Sequence, residues 1–368
     1  MFPFPVDAKC NADDFFITVE IANDCPKSVP RHGDSEEYKL IVKMDGATLS
    51  TDSVWGAIRG MDSISQLIFY DEKDAEYKIR TVRIHDFPRF PLRGLLIDSS
   101  RHFLSMKVIK RQLDIMAMNK MNVLHWHLVD SEAFPYVSEK FPNLAKTGAY
   151  SPKHQYSPSD VQEIIEFARV RGIRVIPEFD LPGHTGAWQG HPELLTECFD
   201  CAGKPTYLPN LVDPSKNSTR ECITELVEKH LRNSWTKWSR HFPMSFCTSE
   251  AMKLRCLLKT AGELYRDYAV ELYRKMMRNS NIRKFMKEKS FGSNIRLLEN
   301  YFFERLHAIV RNLKVKRRTI FWQEVFDNNI PEYDSIIHIW KGRTHQEIIK
   351  EVKNVTAKGY NAIVSACW

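Results

Sequence analysis

From Arg93 onward, short apolar runs alternate with stretches whose apolar residues recur at helical spacing. This is the pattern of βα units, in which each strand is followed by a crossover helix and the strands lie parallel. The runs predict strands at Gly94–Asp98, Val123–Val129, Ile173–Phe179, Thr319–Glu324, Ile336–Trp340 and Ala362–Ser365. Helices are predicted over Lys107–Met118, Ser159–Arg171, Asn294–Val310 and Gln346–Lys358, the second capped by Ser157 or Ser159. Repeated units of this kind point to a (β/α)8 barrel of the TIM type, an α/β fold whose functional side chains gather at the C-terminal ends of the strands.

Residues 85–368 are assigned to this barrel, and two of its strand positions are expected to be unfilled. Between Ser234 and Met277, where a fourth strand belongs, Leu254, Leu257, Leu258, Ala261, Leu264, Tyr265, Tyr268, Leu272 and Met276 recur at helical spacing instead. The chain stops at Trp368, directly after the seventh strand, so an eighth is expected to be missing and the barrel incomplete, with exposed sheet edges. Residues 1–84 are expected to form a small α+β domain, from strand-like runs at Phe15–Ile21 and Tyr38–Val42 and a helical pattern over Val54–Ile68. A proline-rich hinge, HDFPRFPLRG, follows.

With 368 residues and 43% hydrophobic content, the chain is long enough for one large barrel and a small extra domain. No run reaches the ~18 apolar residues of a membrane span, and the start MFPFPVDAKC lacks the regions of a signal peptide. A net charge of +7 raises nucleic acid as a partner, but no module interleaves basic residues with stacking aromatics. The basic excess over Arg311–Arg318 and Lys229–Lys289 reads as solvated helix ends. Of eight cysteines only Cys198 and Cys201 are closely spaced, short of the four ligands of a structural zinc, so neither metal nor cofactor is expected. The sequons at Asn217 and Asn354 would be glycosylated only on the secretory route.

Several residues at predicted strand ends could carry chemistry. His125 and His127, two apart in one strand, point to the same face and would permit a metal site, although His338 is the only later histidine inside a candidate strand. Packed, hydrogen-bonded core histidines are the alternative. Arg101 and Asp130 form a candidate ion pair facing a pocket, since a guanidinium fork suits sugar hydroxyls as well as a carboxylate; a salt bridge at the barrel rim is equally consistent. Asp180 and His184 follow the third strand, with Pro182-Gly183 forcing a turn that re-aims the imidazole. Trp322, Trp340 and Trp368 end three successive late strands and could form an aromatic wall on which sugar rings stack, or could fill the barrel end.

The strings VWGAIRG, FPRFPLRGLLIDSSRHFL, NKMNVLHWHLVDSEAFPY, RGIRVIPEFDLPGHT, NIRKFMKEKSFG, FWQEVFDN, IIHIW and SACW occur in that order. Together they resemble a β-N-acetylhexosaminidase of glycoside hydrolase family 20, animal lysosomal type. The resemblance implies exo-hydrolysis of terminal N-acetylglucosamine or N-acetylgalactosamine by a substrate-assisted retaining route, one of the exceptions to the two-carboxylate scheme. It implies that Arg101 binds sugar hydroxyls, that Asp130 and His184 belong to the pocket network, and that Trp322, Trp340 and Trp368 shape the acetamido pocket. A glycan ending in N-acetylhexosamine is the implied partner, a homodimer the implied assembly, and the lysosome or the exterior the implied location.

The family's catalytic Asp-Glu pair lies in an HxGGDE motif at the fourth strand, and no such string occurs here. Aligning back without gaps from Ile282 puts Ala269 and Val270 at the pair; neither can transfer a proton, and Glu271 is offset by one position. The cysteine that the family places downstream of that motif, as the bridge partner of Cys198, is absent as well. The chain as written is therefore expected to be inactive. A break this abrupt between good matches suggests an unspliced or frame-shifted segment over residues 214–281, and a transcript reading straight through would refute it.

Overall fold

The computed structural model describes residues 15–23, 30–206, 211–230, 244–247, 275–313, 318–328, 331–332 and 334–365. The N-terminal part consists of β1 (Phe16–Ile21), β2 (Tyr38–Val42), β3 (Gly46–Thr51), α1 (Val54–Leu67), β4 (Ile68–Asp71), β5 (Glu76–Ile79) and β6 (Val82–Asp86). Four of these strands form a sheet in the order β1-β3-β2-β6, and β4 pairs with β5 as a separate hairpin. Buried and exposed positions alternate along β2 and β3, as they must in a sheet with one covered face. The covering element is α1, capped by Ser53 Oγ, which accepts from Gly56 N–H. Gly56 and Gly60 let it lie this close, because a Cβ on either would collide with Thr51 or Leu49 of β3. The VWGAIRG string thus has a packing reason.

One buried carboxylate ties this part to the barrel. Glu36 is 8% exposed. It accepts from Arg59 Nε at 2.8 Å, Arg93 Nη2 at 2.6 Å and Asn122 Nδ2 at 2.6 Å. Arg59 in turn donates through Nη2 to the carbonyls of Met121 and Gly172, both at 3.1 Å. Arg93, Asn122 and Gly172 stand just ahead of three successive barrel strands, so the small domain grips the barrel floor at the strands' N-terminal ends.

The barrel part runs β7 (Gly94–Asp98), α2 (Met106–Met118), β8 (Val123–Val129), α3 (Pro142–Gly148), α4 (Pro158–Arg169) and β9 (Arg174–Asp180). A two-stranded excursion, β10 (Cys198–Phe199) and β11 (Pro205–Thr206), comes before α5 (Asn217–His230) and β12 (Met244–Cys247). The remainder is α6 (Ser280–Glu288), α7 (Ile295–Arg311), β13 (Thr319–Trp322), α8 (Gln323–Asp327), β14 (Ile336–Ile339), α9 (His345–Ala357) and β15 (Asn361–Val364). Seven strands form one sheet in the order β15-β14-β13-β12-β9-β8-β7, and every adjacent pair is parallel. Every residue of β8 and β9 is buried, as both faces of a barrel strand are covered. Ser157 caps α4 in a capping box with Asp160, which settles the choice between Ser157 and Ser159.

One expectation is corrected here. The fourth strand position is filled by Met244–Cys247, which pairs with β9 through Ser245↔Glu178 and with β13 through Ser245↔Ile320. The helical-spacing signal lies downstream of this strand, and most of the residues that carry it, Ala269 and Val270 among their neighbours, fall outside the described residues. Among the described residues no eighth strand joins the sheet, and β7 and β15 are its edges. The predicted Thr319–Glu324 strand stops at Trp322, where the chain turns directly into α8. No helix among the described residues is long and apolar enough to cross a membrane.

Candidate active site

The strands deliver their polar residues to one rim. Asp98 ends β7, Asp130 follows β8, Asp180 ends β9 and Trp322 ends β13. Asp130 is fully buried and is shared by Arg101, His127 and His184. Arg101 Nη2 meets its Oδ2 at 2.6 Å, His127 Nε2 the same oxygen at 2.9 Å, and His184 Nδ1 its Oδ1 at 2.9 Å. The expected Arg101–Asp130 pair is therefore present, and Asp98 Oδ2 at 2.7 Å also holds Arg101. His184 reaches Asp130 from a left-handed backbone conformation, φ 57°, so the Pro182-Gly183 turn does re-aim it, and it stands 3.6 Å from Asp180 Oδ2.

Glu178 is the second hub; the sequence offers it only as one of the polar residues at the end of the third strand, with no role. It is fully buried in β9, directly across the ladder from His127 of β8. Its Oε2 lies 2.7 Å from His125 Nε2 and 3.0 Å from His127 Nδ1, and its Oε1 accepts from Trp322 Nε1 at 2.7 Å. The signal for its partners existed: an acid inside a wholly buried strand must find compensating groups, and His125 and His127 on the neighbouring strand stand at ion-pair distance.

Burial alone would favour the neutral form of each of these groups, and their mutual charges overrule it. The Asp130 carboxyl would rise on burial, but the His127 and His184 contacts hold it far below the usual range. Glu178 is likewise held well below its ordinary value by His127 and His125, against the burial that would raise it. His127, which burial would discharge, is held well above its ordinary value by Glu178 and Asp130. His338 goes the other way: burial, with the His125 charge added, pushes it down to about 3 although Glu178 acts in the opposite sense. The neutral His338 ring stacks on Trp322 at 4.0 Å and 10°.

His127, Glu178 and Asp180, and likewise Asp130, Asp180 and His184, bring ligand-type atoms within 4.8 Å of one another. Both ring nitrogens of His127 already face carboxylate oxygens. A metal ion there would have to displace the imidazolium protons, so the geometry favours a proton-held network over the metal reading of His125 and His127. Trp340 stands apart from this network; its Nε1 donates to Glu324 Oε2 at 3.0 Å, and its ring is 37% exposed. Trp368 lies outside the described residues.

These shifts set a pH dependence of stability. His127, raised on folding, contributes fully below its unfolded value of about 6.5 and loses that contribution as pH rises through its raised value. Asp130 and Glu178, lowered on folding, contribute fully above about 3.9 and 4.3 and lose their contribution as pH falls. His338, lowered, contributes above about 6.5 and loses its share as pH falls toward about 3. The melting temperature should therefore peak near about pH 6.5, and His338→Leu should flatten the acid limb down to about pH 4.5. A peak above pH 8, or an unchanged acid limb in the variant, would contradict these assignments.

A model of the glycosyl hydrolase family 20 catalytic domain matches residues 90–367, and one described as beta-acetyl hexosaminidase like matches residues 3–67. Over 369 residues, 100% of this chain and 63% of the relative, the chain is 56% identical to Beta-hexosaminidase A of Caenorhabditis briggsae. Over 356 residues, 96% of this chain and 60% of the relative, it is 39% identical to Beta-hexosaminidase subunit beta of Mus musculus. Among solved structures, the Flavobacterium johnsoniae chitobiase superposes with a TM-score of 0.72 at 26% identity, covering 96% of this chain and 49% of that one. The chain thus spans less than two thirds of the length of the curated relatives it matches.

Proposed function

The chain belongs to glycosyl hydrolase family 20, and from that premise we propose that its protein is an exo-acting β-N-acetylhexosaminidase. Its substrate is a glycan or glycoconjugate with a terminal N-acetylglucosamine or N-acetylgalactosamine. Arg101 binds the ring hydroxyls, Asp130 and His184 hold it in place, and Trp322 and Trp340, with Trp368, wall the acetamido group. The observation that carries this reading is the unbroken run of contacts from Arg101 through Asp130, His127 and Glu178 to Trp322. It brings a hydroxyl-binding fork and an aromatic face onto one rim, the combination a sugar bearing both hydroxyls and an amide requires. In the substrate-assisted route the amide oxygen attacks the anomeric carbon; one acid orients the amide while its neighbouring Glu protonates the leaving oxygen. A homodimer, in the lysosome or outside the cell, is the proposed setting.

For the chain as written, a second reading is favoured by the absence of any HxGGDE string: the sugar is bound and not cleaved. Titrating the full chain with N-acetylglucosamine and with glucose, followed by tryptophan fluorescence, tests both readings. Saturable binding of N-acetylglucosamine, with glucose much weaker, is expected. No binding, or equal binding of the two sugars, would remove an acetamido pocket from consideration.

A further inference from the structure

Glu178 occupies a position where a carboxylate is expensive, because burying an ion is repaid only by well-placed donors. His125 Nε2 and His127 Nδ1 stand at ion-pair distance from its Oε2, and the Trp322 indole donates to its Oε1. A glutamine here would set its NH2 either against the indole N–H or beside the His127 imidazolium. A carboxylate presents an acceptor to both sides. Through His127 the same carboxylate reaches Asp130 and then Arg101, so the line crosses from β13 over β9 and β8 to the loop after β7. With His338 stacked on one face of Trp322 and the indole N–H fixed at Glu178, the ring is held in both tilt and slide.

We propose that Glu178 is a positioning residue that ties the Trp322 side of the pocket to the Arg101–Asp130 clamp, so that the two ends of one N-acetylhexosamine ring are gripped as a unit. This rests on the sugar-binding reading above. Glu178 does not touch the sugar; it acts through Trp322 and His127. His127 is faced by Glu178 and Asp180 from β9, by Asp130 beyond its own strand, and by Arg101, whose Nη1 lies 3.4 Å from His127 Nε2. Removing the Glu178 charge leaves its imidazolium with less support, and its charge then becomes sensitive to pH between about 5 and 8.

The test is N-acetylglucosamine titration of the full chain as wild type, Glu178→Gln and Trp322→Phe at several pH values from 5 to 8, with near-ultraviolet circular dichroism as the check on folding. Wild type should bind with nearly constant affinity. Glu178→Gln should bind about tenfold more weakly at pH 5, as expected for a mismatched buried hydrogen bond, and weaker still toward pH 8. Trp322→Phe keeps a smaller aromatic face and loses the donor, so it should bind more weakly while retaining the wild-type pH profile. Wild-type affinity and pH profile in Glu178→Gln would overturn the proposal. If that variant does not fold, unchanged affinity in Trp322→Phe overturns it. A wild-type chain that binds no N-acetylglucosamine sinks the sugar-binding reading itself, and this inference with it.

Discussion

Replacing Asp130 with alanine should destabilise the fold by about 3–5 kcal/mol, the usual cost of removing one partner of a buried ion pair, and should abolish sugar binding. The carboxylate is fully buried and takes contacts from Arg101, His127 and His184. Without it Arg101, His127 and His184 converge on an empty position that water must fill. Arg101, 37% exposed, can swing toward Asp98 or Glu132, so the guanidinium survives while its aim is lost. Asp130→Asn separates charge from shape: it should cost less, about 1–3 kcal/mol, because one acceptor oxygen remains. Urea unfolding of the two variants beside wild type, paired with the N-acetylglucosamine titration, measures both effects. A loss under about 1 kcal/mol in the alanine variant with binding retained would mean that the network is decoration.

Turnover should show the other large effect. Assayed on a chromogenic N-acetyl-β-glucosaminide beside a full-length relative, the chain should be slower by at least about 10²–10⁴-fold, the share that general acid catalysis alone supplies. Orientation of the amide by the missing neighbour adds to that deficit. The reason lies in the sequence, where Ala269 and Val270 stand at the aligned pair. Glu271→Gln is the internal control. If a shifted Glu271 served as the acid, that variant would lower the residual rate, whereas an unchanged rate is expected. Turnover within tenfold of the relative would require a proton donor elsewhere in the chain.

What was readable beforehand follows from how local each signal is. Gly94–Asp98 and Val123–Val129 match the observed strands residue for residue, since an apolar run bounded by Arg93 or Asn122 on one side and Asp on the other leaves little freedom. The caps are local too, and Ser157 with Asp160 shows it. The four-residue β12, Met-Ser-Phe-Cys, sits between basic flanks and a long helical pattern, and a strand this short is recognisable only by the neighbours it pairs with. Arg101, Asp130 and His184 were visible as polar residues at strand ends. Glu178 stands among them without a role, because PEFD reads as an ordinary strand end until the register places it opposite His127. The end of β13 was overrun for a similar reason: nothing in WQEVF marks the switch from period two to helix at Gln323.

The Glu36 junction on the opposite face has a consequence for how the molecule comes apart. One carboxylate and one guanidinium collect the starts of β7, β8 and β9 together with α1. The junction therefore couples the N-terminal sheet to the first three strands, although a linear map of the chain divides them at the hinge. Loosening the small domain is therefore expected to loosen the strand that leads to Asp130 and the strand that carries Glu178. The order of the proposed sugar pocket thus depends in part on a junction at the other end of the strands, and damage to α1 is expected to register as weaker ligand binding at the far rim.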